Sequence, residues 1–232
     1  MNTVFNLELI FHSIPTLLSY LPITIFIIVS SLVAGGVLGL LMVLPRIYHV
    51  PLLSQIIAVY ISFMRGTPIL IQLFLVFYGL PAVLQFINID ISRMDPLIFV
   101  IITYSLSTAA SFSEIMRGAI QSIDYGQTEA AYSIGMSARQ AFLRIVLPQS
   151  MIIAFPNFGN LVIGSLKDTS LAFTIGVMDM MGRGDTLIAS TARALEIYLA
   201  LAVIYYGIAF LLERSFSKSE RKMQKYDQPL QA

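Results

Sequence analysis

ITIFIIVSSLVAGGVLGLLMVL, residues 23–44, is an uncharged run of about 22 residues, and its reading decides the fold. At roughly 1.5 Å of rise per residue, a helix of this length crosses a hydrocarbon core of roughly 30 Å. Lipid offers no hydrogen bonds to an exposed backbone, so a lone spanning segment has to be helical. The run is longer than a signal-peptide core of about 7 to 15 residues and is not followed by a convincing small-residue cleavage site. No Lys or Arg precedes it, and we expect it to be retained as a span.

The rest of the chain agrees with that start. Of 232 residues, 57% are hydrophobic and 12% charged, which disfavours a soluble domain. Four further apolar stretches follow at 52–80, 96–116, 149–177 and 194–213. The expected fold is therefore all-α: one polytopic membrane domain over residues 1–232 with five transmembrane helices. Basic residues accumulate on the cytoplasmic side of short loops. With the N-terminus outside and the C-terminus in the cytoplasm, Arg46, Arg117, Arg139, Arg144, Arg214, Lys218, Arg221, Lys222 and Lys225 all fall inside. Only Arg93, Arg183 and Arg193 fall outside, while Arg65 and Lys167 lie within spans.

Residues 1–22 contain FNLELIFHSIPTLLSYLP, apolar but broken by Glu8, His12 and two prolines, and suit a short helix in the outer interface. The small residues of AGGVLG, 34–39, allow another helix to approach the first span closely. RGTP, 65–68, interrupts the second stretch, because proline lacks an N–H and disfavours helix in the residue before it. Arg65 beside that break either bonds the freed carbonyls or lines a pathway. The tail, residues 214–232, reads as a stop-transfer anchor meeting anionic lipid headgroups. A net charge of +1 gives no reason to expect a nucleic-acid partner. The chain has no cysteine and only two histidines, His12 and His49, far apart, so no metal site is expected.

Between the third and fourth spans lies EAAYSIGMSARQAFLRIVLP, residues 129–148, a semi-polar piece among apolar segments. Thr128 precedes a short helix, Glu129 to Ile134, and Gly135 permits the left-handed turn that ends it. Ser137 with Gln140 reads as a capping box starting a second short helix, and Pro148 marks entry to the next span. Residues 124–147 thus form two cytoplasmic helices at a glycine corner, presenting Ala130, Ala131, Ile134 and Phe142 as a docking knob.

This stretch carries a resemblance. EAA, Gly135 after three intervening residues, then Ile145 and the Leu-Pro pair ending at Pro148 match the EAA signature of permease subunits of bacterial ABC importers. RGTPILIQLFLVFYGLP (65–81), FSEIMRGAIQSIDYGQTEAA (112–131) and LKDTSLAFTIGV (166–177) are similar to the polar amino acid permeases of the histidine, glutamine and arginine group. The resemblance covers about residues 15 to 215. It implies the type I ABC-importer permease architecture in a bacterial cell membrane. It also implies that Glu129, Ala130, Ala131 and Gly135, with Ile145 and Pro148, form the element that couples to an ATPase. The implied partners are two ABC ATPase subunits, a second permease subunit, identical or homologous, and an extracytoplasmic binding protein. No phosphate-loop sequence occurs in the chain, so ATP and Mg would be bound by the partner ATPase and no cofactor by this chain.

Charges at membrane depth mark the candidate pathway. Lys167 and Asp168 would each cost about 2.5 to 3.5 kcal/mol at mid-helix and need partners or a polar cavity. Asp168, Thr169 and Ser170 are good N-cap residues, so we expect a broken helix there whose positive end suits a carboxylate while Asp168 takes an ammonium group. Glu114 and Arg117 are the structural alternative as their counter-ions, and Arg65 completes the set. Leu161 stands seven residues before Asp168, where a second carboxylate for a dibasic side chain would sit. A neutral polar amino acid such as cystine or glutamine is the expected cargo. Two other readings compete: an ion-gradient-driven carrier or channel, and an intramembrane aspartyl protease, since GRGD at 182–185 is similar to that group's Gly-x-Gly-Asp.

Overall fold

The computed structural model describes residues 5–227. The remaining residues of the expected outer segment and tail, and the side chain of Lys225, lie outside the described residues. The helices are α1 (Leu7–Leu18), α2 (Leu21–Ile47), α3 (Leu53–Gly66), α4 (Ile69–Phe74), α5 (Leu80–Gln85), α6 (Pro96–Gln121), α7 (Tyr125–Ser133), α8 (Ala138–Ala141), α9 (Leu147–Asp168), α10 (Met180–Thr191) and α11 (Ala194–Asp227). π turns at Leu75–Gly79 and Phe142–Val146 join α4 to α5 and α8 to α9, and a 3-10 turn, Thr169–Ile175, continues α9. No strand occurs among the described residues.

Four stretches are long and apolar enough to span a membrane: Leu21–Ile47, Pro96–Gln121, Ala138–Ile175 and Ala194–Met223. The fifth is the pair Leu53–Gly66 and Ile69–Gln85, bent by 113° at the RGTP break. Helix directions show that this pair makes a crossing. A Cβ on Gly35 would meet Ser105 and Thr108, and one on Gly39 would meet Ala109 and Ser113, so α2 and α6 run parallel. Two consecutive parallel spans need a return crossing between them, and α3 to α5 supply it. α9 runs opposite to α6, since Ala154 packs with Met116 and Ala119 while the Tyr104 hydroxyl donates to the Asp168 carbonyl. α11 reverses again: the Phe216 ring meets Phe155 tilted and Phe158 edge-on in α9, and Ile197 packs beside Met180.

The small-residue patch in α2 is a true packing seam. A Cβ on Gly35 would lie 2.6 Å from both the Ser105 carbonyl and Thr108 Cβ, whereas one on Gly36 would meet nothing within 4 Å. In lipid, where apolar surface gives no drive toward association, such close approach supplies the dispersion contacts that hold helices together. α1, from the expected outer segment, buries Ile10 and Leu17 against Ile197, Ala200 and Leu201 of α11. The backbone N–H of Asn6 also donates to Glu196 Oε1, at 3.3 Å.

One expectation is corrected here. The fourth span is not broken at Asp168. The helix passes through Pro156, Gly159 and Gly164, and Asp168 and Thr169 keep right-handed helical backbone. Thr169 Oγ1 and Ser170 Oγ donate back to the Leu166 and Lys167 carbonyls, 2.7 Å each, instead of capping a new start. The chain turns only at Gly176, φ 91°. The tail, for its part, is a continuation of α11, helical to Asp227.

Candidate functional site

At one end of the bundle α7 and α8 form a compact hairpin. Asp124, not Thr128, caps α7: its Oδ1 accepts from the Gly126 N–H at 2.7 Å, so the helix begins at Tyr125, before Glu129. Gly135 takes φ 80°, and the N–H groups of Gly135 and Met136 return to the Tyr132 and Ala131 carbonyls at 2.9 and 3.0 Å. A left-handed residue there closes the helix end, which glycine does without strain. The expected capping box is present, the Ser137 N–H donating to Gln140 Oε1 at 2.9 Å and the Gln140 N–H to Ser137 Oγ at 3.3 Å.

Ala131 and Ala141 are each 1% exposed and form the inner seam of the hairpin. Ala131 therefore does not belong to the exposed knob expected from the sequence, because its side chain is turned inward and buried. Glu129 and Ala130 face outward, Ile134 is 75% exposed, and Phe142 is half-buried. Ile145 lies half-buried in the π turn, and Pro148 follows that turn inside a helix that runs on from Ala138 to Ile175. Tyr48 and Ile120, from the ends of α2 and α6, line a hollow with Tyr125, Tyr132 and Phe142 of the hairpin.

Glu114 belongs to this end as well. Arg46 Nη1 lies 2.5 Å from Glu114 Oε2, and Arg117, one turn on, donates to Glu114 and to Gln121. Two guanidinium groups on one carboxylate offset its desolvation in the apolar bundle. Glu114 and Arg117 are thus committed to Arg46 and Gln121 and are not the counter-ions of Lys167 and Asp168. Tyr104, which bonds Asp168, stands ten residues up α6 from Glu114, about 15 Å by helical rise.

Around that tyrosine the other candidates gather. Lys167 is exposed, Asp168 half-buried and Thr169 wholly buried at the end of α9, with Ser170 half-buried beside them. The Tyr104 hydroxyl donates to the Asp168 carbonyl at 2.7 Å and anchors this turn on α6. Arg65, on the last turn of α3, is exposed, and the carbonyls freed by Pro68 are met by Gln72 instead. The expected pathway set is thereby divided: residues 167–170 stand together, Glu114 and Arg117 lie with the hairpin end, and Arg65 stands apart on α3.

One charged site escaped the sequence reading. Asp179, 0% exposed, caps α10 by accepting from the Gly182 N–H at 2.9 Å. Burial pushes its carboxyl up to about 6, against backbone hydrogen bonds that pull it down. The Asp-x-x-Gly spacing ahead of a helix was the available signal. Asp185, the carboxylate of GRGD, is an exposed residue inside α10. A carboxylate open to solvent does not share a proton across a closed cavity, so GRGD gives no aspartyl-protease centre.

Comparison with known proteins places this geometry. The family model of the binding-protein-dependent transport system inner membrane component matches residues 35–225. The L-cystine transport system permease protein TcyL of Bacillus subtilis (strain 168) is 56% identical over 225 residues, covering 97% of this chain and 94% of its own. The glutamine transport system permease protein GlnP of Escherichia coli (strain K12) is 34% identical over 220 residues, covering 95% and 98%. The crystal structure of an amino acid ABC transporter with histidines superposes with a TM-score of 0.84 at 29% identity, covering 95% of this chain and 99% of that one.

Proposed function

The chain belongs to the binding-protein-dependent transport system inner membrane components and is a multi-pass amino acid ABC permease of the bacterial cell membrane, and from that premise we propose that its cargo is cystine. The observation that carries this reading is the 56% identity, over 97% of the chain, to a permease named for L-cystine. The glutamine permease stands at 34% over nearly the same length. Leu161, where a dibasic cargo would need a second carboxylate, supports a cargo without net charge.

In this reading ATP and Mg are bound by a separate ATPase, an extracytoplasmic binding protein delivers the amino acid, and a second permease completes the pathway. Glu129, Ala130 and Gly135, outward on the α7–α8 hairpin, seat against the ATPase from the cytoplasm, while Ala131, Ile145 and Pro148 hold the hairpin's shape. Lys167, Asp168 and Ser170 face the cargo, Asp168 taking an ammonium group, with Thr169 buried behind them. Uptake of radiolabelled cystine by proteoliposomes holding the full complex tests the assignment. ATP-dependent cystine uptake that excess unlabelled glutamine or arginine does not suppress is expected. Uptake of glutamine or arginine in preference to cystine would remove the cargo, and uptake driven by an ion gradient without the ATPase would remove the coupling.

A further inference from the structure

We propose that Gln72 is a positioning residue for transport, its buried amide replacing the hydrogen bond that Pro68 removes and so fixing the bend of the second span. In an unbroken helix the Met64 carbonyl accepts from the N–H of residue 68. That residue is proline and has none. Gln72, 3% exposed and one turn beyond the proline, donates from Nε2 to the Met64 carbonyl at 2.6 Å and to the Thr67 carbonyl at 2.9 Å. Both partners only accept, so the amide must turn its NH2 group to them. Gln72 Oε1 is buried with no partner among the described residues, so the side chain is held by its donor end alone.

The bend has a consequence for the pathway. The next residue, Leu73, is 0% exposed and shares one buried cluster with Tyr104, Ala172 and Ile175. Tyr104 anchors Asp168, and Ala172 and Ile175 belong to the turn that follows it. By closing the break between α3 and α4, Gln72 holds the wall on which that turn rests. Without it the buried Met64 carbonyl and the half-buried Thr67 carbonyl each lose this donor, and opening the bend toward other donors is the relief nearest at hand.

The proposal rests on the transport reading for its uptake measurement, while a distance across the bend tests it separately. The chain has no cysteine, so Ser62→Cys and Val83→Cys, both exposed, carry spin labels on either side of the break. Loss of one or two hydrogen bonds in Gln72→Leu should lower cystine uptake by the assembled complex about tenfold. The label distance should lengthen or broaden. Gln72→Glu adds a reading that volume alone would not move: the protonated acid donates to a carbonyl and the ionised one repels it. Uptake relative to wild type, taken at equal ATPase content, should therefore be several-fold higher near pH 6 than near pH 8. Wild-type uptake and label distance in Gln72→Leu, or an equal loss at both pH values in Gln72→Glu, would overturn the assignment. Should Gln72→Leu fail to assemble, the Gln72→Glu profile and its label distance decide the matter. A wild-type complex that keeps its label distance but imports no amino acid counts against the transport reading and leaves Gln72 in place.

Discussion

Asp168 stands at the end of α9 with its carbonyl held by Tyr104 and its carboxylate half-buried. The structure removes the half-helix end that first suggested an amino acid site there, yet leaves an acid at span depth whose expected counter-ions are occupied elsewhere. A carboxylate bonding an ammonium group contributes about 1.5 to 3 kcal/mol. Asp168→Asn keeps the shape and one acceptor, so we predict normal assembly and basal ATP hydrolysis, with transport lowered roughly 10-fold to 150-fold. Transport at the wild-type rate would take Asp168 out of the pathway, and loss of assembly would make it structural. The charge-swap partner to try in that case is Lys167, because Arg117 is committed to Glu114.

Among the elements, the α2–α6 seam and the α7–α8 hairpin carry opposite tolerances. Gly35 is closed in by α6 and Gly36 looks into open space, although the two are neighbours in sequence. Gly35→Val should therefore force the helices apart, costing about 1 to 3 kcal/mol or more as overpacking, and lower the yield and thermal midpoint of the purified permease. Gly36→Val should leave both near wild type. Equal effects of the two would show that the seam is elsewhere. At the hairpin, Gly135 takes φ 80°, and a Cβ there would meet nothing within 4 Å. Gly135→Trp strains the turn by about 1 to 2 kcal/mol and fills the outward face without touching the membrane core. Insertion should survive while ATP hydrolysis no longer drives uptake, and Glu129→Arg should act alike. Normal uptake with normal ATP turnover in both variants would remove the docking role.

At the scale of the whole molecule, the bundle sorts its charges. Arg46, Arg117, Arg139 and Arg144 lie at the hairpin end, and α11 carries Arg214, Lys218, Arg221 and Lys222 toward it. Arg183 lies in α10 near Tyr20, at the opposite end. Basic residues gathered at one end favour the cytoplasm for that end. Single cysteines at Ser92 and Ser190 should react with an impermeant thiol reagent added outside intact cells, and one at Ser137 should not. Labelling at Ser137 alone would invert the chain.

What the sequence by itself determined is what local composition can encode. Uncharged runs give spans, because lipid admits little else, and Gly135 with the Ser137–Gln140 box gives the corner between two short helices, because caps and left-handed turns are set by neighbouring residues. RGTP likewise announces its own break. Tertiary structure alone decided which groups meet. Glu114 finds Arg46, 68 residues away, and Tyr104 finds Asp168 across 64, pairings that no window along one helix contains. The glycine that closes a seam and the glycine beside it look alike until another helix is packed on one of them. The break expected at Asp168 failed for the same reason: good capping side chains turn back onto their own helix when the surrounding bundle lets the backbone run on.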